Sequence, residues 1–206
     1  MTPTEFAAAA HVSRETLSQL ETFDAVLLEA AERHNLVARS TLPDRWRRHF
    51  LDSAQLYPLI PDDARTVVDV GSGAGFPGLV LAAMGAARGL EVTLVESVGK
   101  KAQFLGDAAA AMGLKNVTVR PERIEGSDLA KPDVVTARAV AALPKLLAWT
   151  APLAGGRTVF IFHKGERYRD ELTEARKSWR IEVDARPSVT DPAAAILKIT
   201  GLAPRS

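Results

Sequence analysis

The pattern of apolar and polar positions changes near residue 62. Before it, apolar residues recur at helical spacing. Between residues 14 and 34, Leu17, Leu20, Val26, Leu27 and Ala30 are separated by acids and arginines, which predicts an amphipathic helix with Ser13 as its N-cap. A second helix is expected from about Leu42-Pro43-Asp44 through Trp46, Phe50, Leu51 and Ala54 to Tyr57, where Pro58 and Pro61 stop it. After residue 62, β-rich runs at 66–70, 92–96, 116–120, 133–137 and 157–162 alternate with helical stretches at 77–85, 99–112 and 143–151. This rhythm predicts a parallel sheet covered by helices on both faces. A charged helix at about 167–177 follows, then strand candidates at 179–184 and 194–200 with only the turn-like Pro187–Pro192 segment between them. Two successive strands without a helix predict an antiparallel hairpin closing one edge of the sheet. Two regions are therefore expected: an N-terminal helical segment, 1–61, and an α/β domain, 62–206.

Composition narrows this picture modestly. Hydrophobic residues make up 47% of the chain and charged residues 25%, which is ordinary for a soluble globular protein. No apolar run approaches the length of a membrane span. The N-terminus, MTPTEFAAAAHVSRE, has early acids and no basic region, which argues against a secretory signal. There is no cysteine, so disulfides, thiol nucleophiles and thiolate metal sites are excluded, and a reducing cytoplasmic location fits.

The richest signal is DVGSGAGFPG, Asp69 to Gly78, between an apolar strand and an apolar helix. A glycine turn in that setting lets backbone approach a ligand closely, and the helix start adds N–H donors for its polar parts. A nucleotide-like cofactor is the expected ligand. Gly73, Gly75 and Gly78 fit the dinucleotide pattern G-x-G-x-x-G, while Gly71, Gly73 and Gly75 equally fit the G-x-G-x-G of S-adenosylmethionine sites. Glu96, ending the second strand, is placed to meet ribose hydroxyls in either class. Three features favour S-adenosylmethionine. Asp69 sits on the first strand, where dehydrogenases are normally apolar. A seven-stranded pattern ending in a hairpin is that of Rossmann-like methyltransferases. Little chain remains for a separate substrate domain. A plainer reading of Asp69 is an acid capping the turn.

DVGSGAGFPG, followed by VESVGKK (95–101), RIE (123–125), ARAV (137–140) and HKGE (163–166), resembles the RsmG, or GidB, family of 16S rRNA (guanine-N7)-methyltransferases. HNLV (34–37) and RHFLDS (48–53) agree with it. The resemblance implies a class I methyltransferase fold, with a mostly parallel seven-stranded sheet, an antiparallel last strand and the helical segment in front. It implies methyl transfer to N7 of a guanine in the 530-loop region of 16S rRNA, within a small ribosomal subunit or assembly intermediate. It also implies cofactor contacts at Gly71, Phe76, Ile124, Glu125 and Arg138, to which the reading of the turn adds Asp69, Gly73, Gly75 and Glu96.

Guanine N7 carries a lone pair and no proton, so the reaction needs no general base. The chain accordingly offers no Ser/His/Asp arrangement or metal-ligand cluster, and its histidines (11, 34, 49 and 163) are scattered. No metal is expected. Arg138, Arg123 and Lys164 are candidates to orient the base through its O6 edge, with Arg138 and Lys164 placed at the reaction centre. Arg138 could equally pair with Glu125 or another acid at the strand ends. Arg47, Arg48 and His49, within a basic group that also holds Arg33, Arg39 and Arg45, are expected on the RNA side. Lys100, Lys101 and a group of Arg157, Lys164, Arg167 and Arg169 would extend that basic face. The alternatives are an NAD(P)-dependent oxidoreductase, suggested by the second glycine register, a methyltransferase acting on a non-RNA substrate, or a binding module that keeps the fold without catalysis.

Overall fold

In the computed structural model, residues 1–33 and 36–205 are described, the side chains of Arg33 and Arg39 excepted. The His34-Asn35 half of HNLV lies outside them. Helix α1 (Pro3–Ala10) opens the chain, capped by Thr2, whose hydroxyl accepts from Glu5 N–H while Glu5 reaches back to Thr2 N–H. Helix α2 (Arg14–Arg33) follows, and Ser13 Oγ accepts from Thr16 N–H as a cap should.

The helix expected from 42 to 57 is instead a succession of tighter and wider turns. A 3-10 stretch, Arg39–Asp44, contains Pro43, which has no N–H to donate. A π-helical turn, Trp46–Leu51, runs into α3 (Asp52–Ala54), with Asp52 N–H bonded to the Arg47 carbonyl five residues back. Such wide turns concentrate at functional sites. A second 3-10 turn, Tyr57–Leu59, ends the region.

From there strands and helices alternate except at β3–β4 and β6–β7, which no helix separates: β1 (Thr66–Val70), α4 (Gly78–Gly85), β2 (Glu91–Val95), α5 (Gly99–Ala111), β3 (Val117–Arg120), β4 (Val134–Arg138), α6 (Leu143–Thr150), β5 (Val159–Lys164), α7 (Tyr168–Ser178), β6 (Trp179–Pro187) and β7 (Ala195–Pro204). The sheet order is β3-β2-β1-β4-β5-β7-β6. β1 to β5 run parallel, and β7 inserts antiparallel between β5 and β6. This is the doubly covered sheet with a closing hairpin that the alternation predicts. The order reverses between β1 and β4, and open α/β sheets bind ligands at such a point, outside the carboxyl ends of the strands.

Alternation along β1 divides the core. Val67 faces one layer, with α4, α5 and the N-terminal helices, while Val68 and Val70 face the other, with α6 and α7. The N-terminal helices do not form a separate core. Phe6, Leu20, Phe23, Leu27 and Phe50 are wholly buried and pack with Leu79 and Leu81 of α4. Burying each phenylalanine contributes about 2–3 kcal/mol. Arg45 adds a clamp, its guanidinium paired with Asp24, to which Trp46 Nε1 also donates at 3.0 Å. The segment is thereby fixed against the turn after β1.

Candidate active site

The turn after β1 adopts positive φ at Gly71 (66°), Gly73 (56°) and Gly75 (94°). Gly71 and Ser72 donate to the Val95 carbonyl, tying the turn to the end of β2. Glu96 completes the tie: one oxygen accepts from Gly73 N–H at 2.9 Å and the other from Val98 N–H at 2.8 Å. Each oxygen keeps a further lone pair for a hydroxyl donor. At Gly75 there is no room for a side chain, because a Cβ would stand 2.6 Å from Leu79 and 3.1 Å from Phe23. Thus Gly75 serves the packing of the N-terminal segment, while Gly73 faces open space.

Asp69 is completely buried beneath the turn. One carboxylate oxygen accepts from Thr136 Oγ1 at 2.7 Å, and the other lies against Gly78 at the start of α4. Burial pushes its carboxyl up to about 6, against the hydrogen bonds that favour the charged form. Its place is that of an acid holding the turn and the helix start.

Phe76 is also buried, in a ring cluster. Its centroid is 5.0 Å from Phe23, 5.2 Å from Phe50 and 5.2 Å from the nearly parallel His49 ring, and the Arg138 guanidinium sits over it at 5.2 Å. The Phe76-Pro77 peptide bond is cis.

Two cavities open near the carboxyl ends of the strands. The narrower, about 160 Å³, has an apolar floor of Val70, Val95, Ile124 and Val140, with Gly71, Arg123 and Glu125 at its edge. Such an apolar floor suits an aromatic ring. The wider, about 580 Å³, is lined by Arg47, Arg48, Asp52, Arg138, His163 and Lys164 together with the β6–β7 turn. Arg138 and Ala139 line the wider cavity and Val140 the narrower, and Ala139 between them has φ of 56°, an unusual conformation for a residue with a Cβ.

Arg138 does not pair with Glu125. Its NH1 donates to Asp52 Oδ2 at 3.1 Å and to the Arg48 carbonyl at 3.2 Å, and its NH2 to His49 Nδ1 at 3.2 Å. Because a guanidinium only donates, His49 Nδ1 accepts, and the ring proton sits on Nε2, 2.8 Å from Thr41 Oγ1. Thr41 passes its own proton to the Ala38 carbonyl. Burial, with Arg138 close by, pushes the His49 ring down to about 4, so it is neutral near pH 7. Burial works to raise Asp52, but His163, Thr190 and Arg138 outweigh it and hold the carboxylate well below its usual range.

Lys164 is nearly buried and engaged, its ammonium 2.6 Å from Glu171 and 2.8 Å from the Ala141 carbonyl. Of its three donors, one is left for a ligand in the wide cavity.

The structure brings the expected residues together unevenly. Arg47, Arg48, Arg138 and Lys164 line the wide cavity, and His49 stands behind Arg138. Gly71, Ile124 and Glu125 line the narrow one, and Arg123, expected beside the RNA, lies with them. Asp69, Gly73, Gly75, Phe76 and Glu96 build the turn without lining either cavity. Arg157 leaves the expected basic group. It precedes β5 at the sheet's opposite end and meets Asp63 at 3.9 Å. Arg45 turns inward to Asp24. Arg33 and Arg39 have side chains outside the description, and Lys100, Lys101, Arg167 and Arg169 line neither cavity. Nor are the histidines all scattered, since His49 and His163 meet across the Arg138–Asp52 pair. Sequence reasoning missed Asp52, His163 and Thr190 as site residues. The first two lie inside RHFLDS and HKGE, so the motifs held the signal. Among the described residues no group of His, Asp or Glu could hold a metal ion, and no helix is long and apolar enough to cross a membrane.

Solved structures place this architecture among the class I methyltransferases. A SAM dependent methyltransferase from Aquifex aeolicus superposes with a TM-score of 0.60 at 16% identity, covering 76% of this chain and 92% of that one. An O-methyltransferase from Bacillus cereus in complex with SAH gives 0.59 at 18% identity, covering 87% and 90%. At such identities the likeness concerns the fold. The sequence itself is more particular. Residues 16–195 match the family rRNA small subunit methyltransferase G. The chain is 48% identical to Ribosomal RNA small subunit methyltransferase G of Rhodospirillum centenum over 98% of its length and 92% of the relative's. It is also 48% identical to the protein of that name from Rhodospirillum rubrum, over 97% of both. The chain belongs to the rRNA small subunit methyltransferase G family.

Proposed function

We propose that this protein is a methyltransferase that moves a methyl group from S-adenosylmethionine to N7 of a guanine in the 530-loop region of 16S rRNA. The observation that carries the reading is the meeting of two unlike cavities at residues 138–140, a small one with an apolar floor beside the glycine turn and a wider one lined by arginines and a lysine. Family membership supports both the methyl transfer and the rRNA. The substrate is the guanine within a small ribosomal subunit or an assembly intermediate, and the location is the cytoplasm.

The residues fit the cofactor. Gly73 would meet nothing nearer than a carbonyl oxygen at 3.8 Å if it carried a Cβ, so the turn offers backbone at close approach. Ile124, Val140 and Val95 would pack the adenine ring, Glu96 would accept from the ribose hydroxyls, and Asp69 would hold the turn from below. When bound, S-adenosylmethionine supplies an electrophilic methyl group on a cationic sulfur.

The chain's part is alignment. Guanine N7 would take the methyl group with its lone pair as the sulfur–methyl bond breaks and S-adenosylhomocysteine leaves, and because no proton is lost no side chain need act as a base. Arg138, fixed by Asp52, His49 and the Phe76 ring, offers a preset cation at the junction of the cavities. The free donor of Lys164 and the Arg138 guanidinium can bond guanine O6 and turn N7 toward the methyl group. Arg47 and Arg48 would meet phosphates.

The test is to incubate the protein with labelled S-adenosylmethionine and undermethylated small subunits, digest the rRNA and identify the nucleoside. Label in 7-methylguanosine is expected. No transfer, where a control enzyme succeeds, overturns the reading.

A further inference from the structure

The β6–β7 turn forms one wall of the wide cavity and is fastened to the RHFLDSAQ segment, more than a hundred residues away in sequence. Thr190 Oγ1 donates to Asp52 Oδ1 at 2.5 Å. Gln55 donates to Ser188 Oγ at 3.2 Å and accepts from Val189 N–H at 3.0 Å. Arg47 donates to the carbonyls of Val189 and Thr190, both at 3.4 Å. Asp52 is the node of this fastening. Its other oxygen holds Arg138 at 3.1 Å and lies 3.5 Å from His163 Nε2. One carboxylate therefore binds the cation at the cavity junction and the turn that walls the cavity.

We propose that Asp52 is a positioning residue that couples Arg138 to the β6–β7 turn, and that the turn, through Thr190, is a substrate-side element which sets how the rRNA seats. The inference rests on reading the wide cavity as the substrate site. Its two halves predict different kinetic effects. Asp52→Asn keeps an acceptor for Thr190 but removes the charge facing Arg138. Thr190→Val releases the turn and leaves the Asp52–Arg138 pair in place.

Asp52→Asn is expected to lower kcat about tenfold, the value of a hydrogen bond to a charged group. Its affinity for S-adenosylhomocysteine should stay within about twofold of the parent's. Thr190→Val is expected to raise KM for small subunits about fivefold with kcat unchanged. In an Arg138→Ala background, Asp52→Asn should cost less than about twofold more, because its partner is already gone. A purely structural role would give additive losses. Additive losses, or Asp52→Asn at the parental kcat, overturn the coupling. If Asp52→Asn does not fold, Thr190→Val alone decides, and an unchanged KM refutes the turn's role. Hydrogen exchange supplies a readout that needs no turnover, with the amides of the 188–194 turn exchanging faster in Thr190→Val and at the parental rate in Asp52→Asn, which keeps the Thr190 acceptor. A protein that transfers no methyl group would sink the proposed function, and parental exchange in Thr190→Val would separately sink the fastening of the turn through Asp52.

Discussion

Gly73 and Gly78 stand five residues apart in one turn, yet substitution should affect them through different physics. A Cβ on Gly73 meets only the Gly71 carbonyl oxygen, at 3.8 Å, so the fold has space for it. Its φ of 56° is the obstacle. Left-handed backbone costs an L-residue about 1–2 kcal/mol, and a β-branched valine lies at the upper end. For a chain of this size that lowers Tm by roughly 3–8 °C without preventing folding. The valine would also stand where the cofactor's approach requires bare backbone, and an overlap worth about 3 kcal/mol lowers affinity roughly 100-fold. At Gly78 the relation is reversed. A Cβ there falls 2.2 Å from Leu94 Cδ2 and 2.7 Å from Asp69 Oδ2, both in the core. Gly78→Ala should lose about 3 kcal/mol of stability through overpacking before any ligand is considered. Urea unfolding without ligand, paired with calorimetric titration of S-adenosylhomocysteine, separates the two effects. Parental affinity in Gly73→Val would refute the assignment of the turn, and parental stability in Gly78→Ala would refute the packing argument.

Three further outcomes are expected. Asp69 holds its proton up to about pH 6 in the fold but only to about 3.8 when unfolded, so stability falls as pH rises through that window, by about 3 kcal/mol in all. Relative to the parent, Asp69→Asn should gain that amount between pH 4 and pH 7 in urea unfolding, and a pH-independent difference would contradict the buried carboxyl. Lys164→Ala should leave S-adenosylhomocysteine affinity nearly unchanged while lowering methyl transfer and costing only about 1 kcal/mol of stability, since Glu171 is partly exposed and keeps the Leu143 N–H as a donor. Loss of cofactor binding in that variant would mean its role is misassigned. Ala139→Gly should relieve the left-handed strain and raise stability by about 1 kcal/mol, with kcat falling as the Arg138 main chain loosens, and unchanged values for both would show the strain to be unimportant.

The sheet was legible because its strands are short β-branched runs, most of them set off from the next by a helical stretch. The five parallel strands and the closing hairpin all fall within a few residues of their expected places. What failed did so for local reasons. The stretch Pro3–Ala10 has one buried anchor, Phe6, among alanines, so it carries little periodicity from which to infer α1. The helix expected after residue 42 breaks into 3-10 and π turns because Pro43 withholds a donor and the chain then widens to seat His49 and Asp52. The glycine turn could be placed from sequence, but the division of labour within it could not. That Gly75 receives Phe23 depends on a helix about fifty residues upstream.

The site was legible as a set of motifs and illegible as a set of contacts. Arg138 and Glu125 are close in sequence, whereas the partner Arg138 takes, Asp52, is 86 residues away and becomes available only when the π turn is docked by its aromatic neighbours. That choice bears on the chemistry. Under the proposed reaction the guanine ring gains a positive charge, and a cavity lined by cations alone would oppose it. The wide cavity instead sets carboxylates, Asp44, Asp52 and Asp191, among its arginines and lysine. In that reading Arg138 would meet the ring already paired with Asp52, so its fork would orient O6 while the pair's near-neutral field would spare the product much of the repulsion a lone guanidinium would exert. The unpaired alternative would hold the base as firmly and methylate it more slowly. Under the proposed reaction the ion pair would belong to the catalytic electrostatics rather than serve only as a brace for the fold.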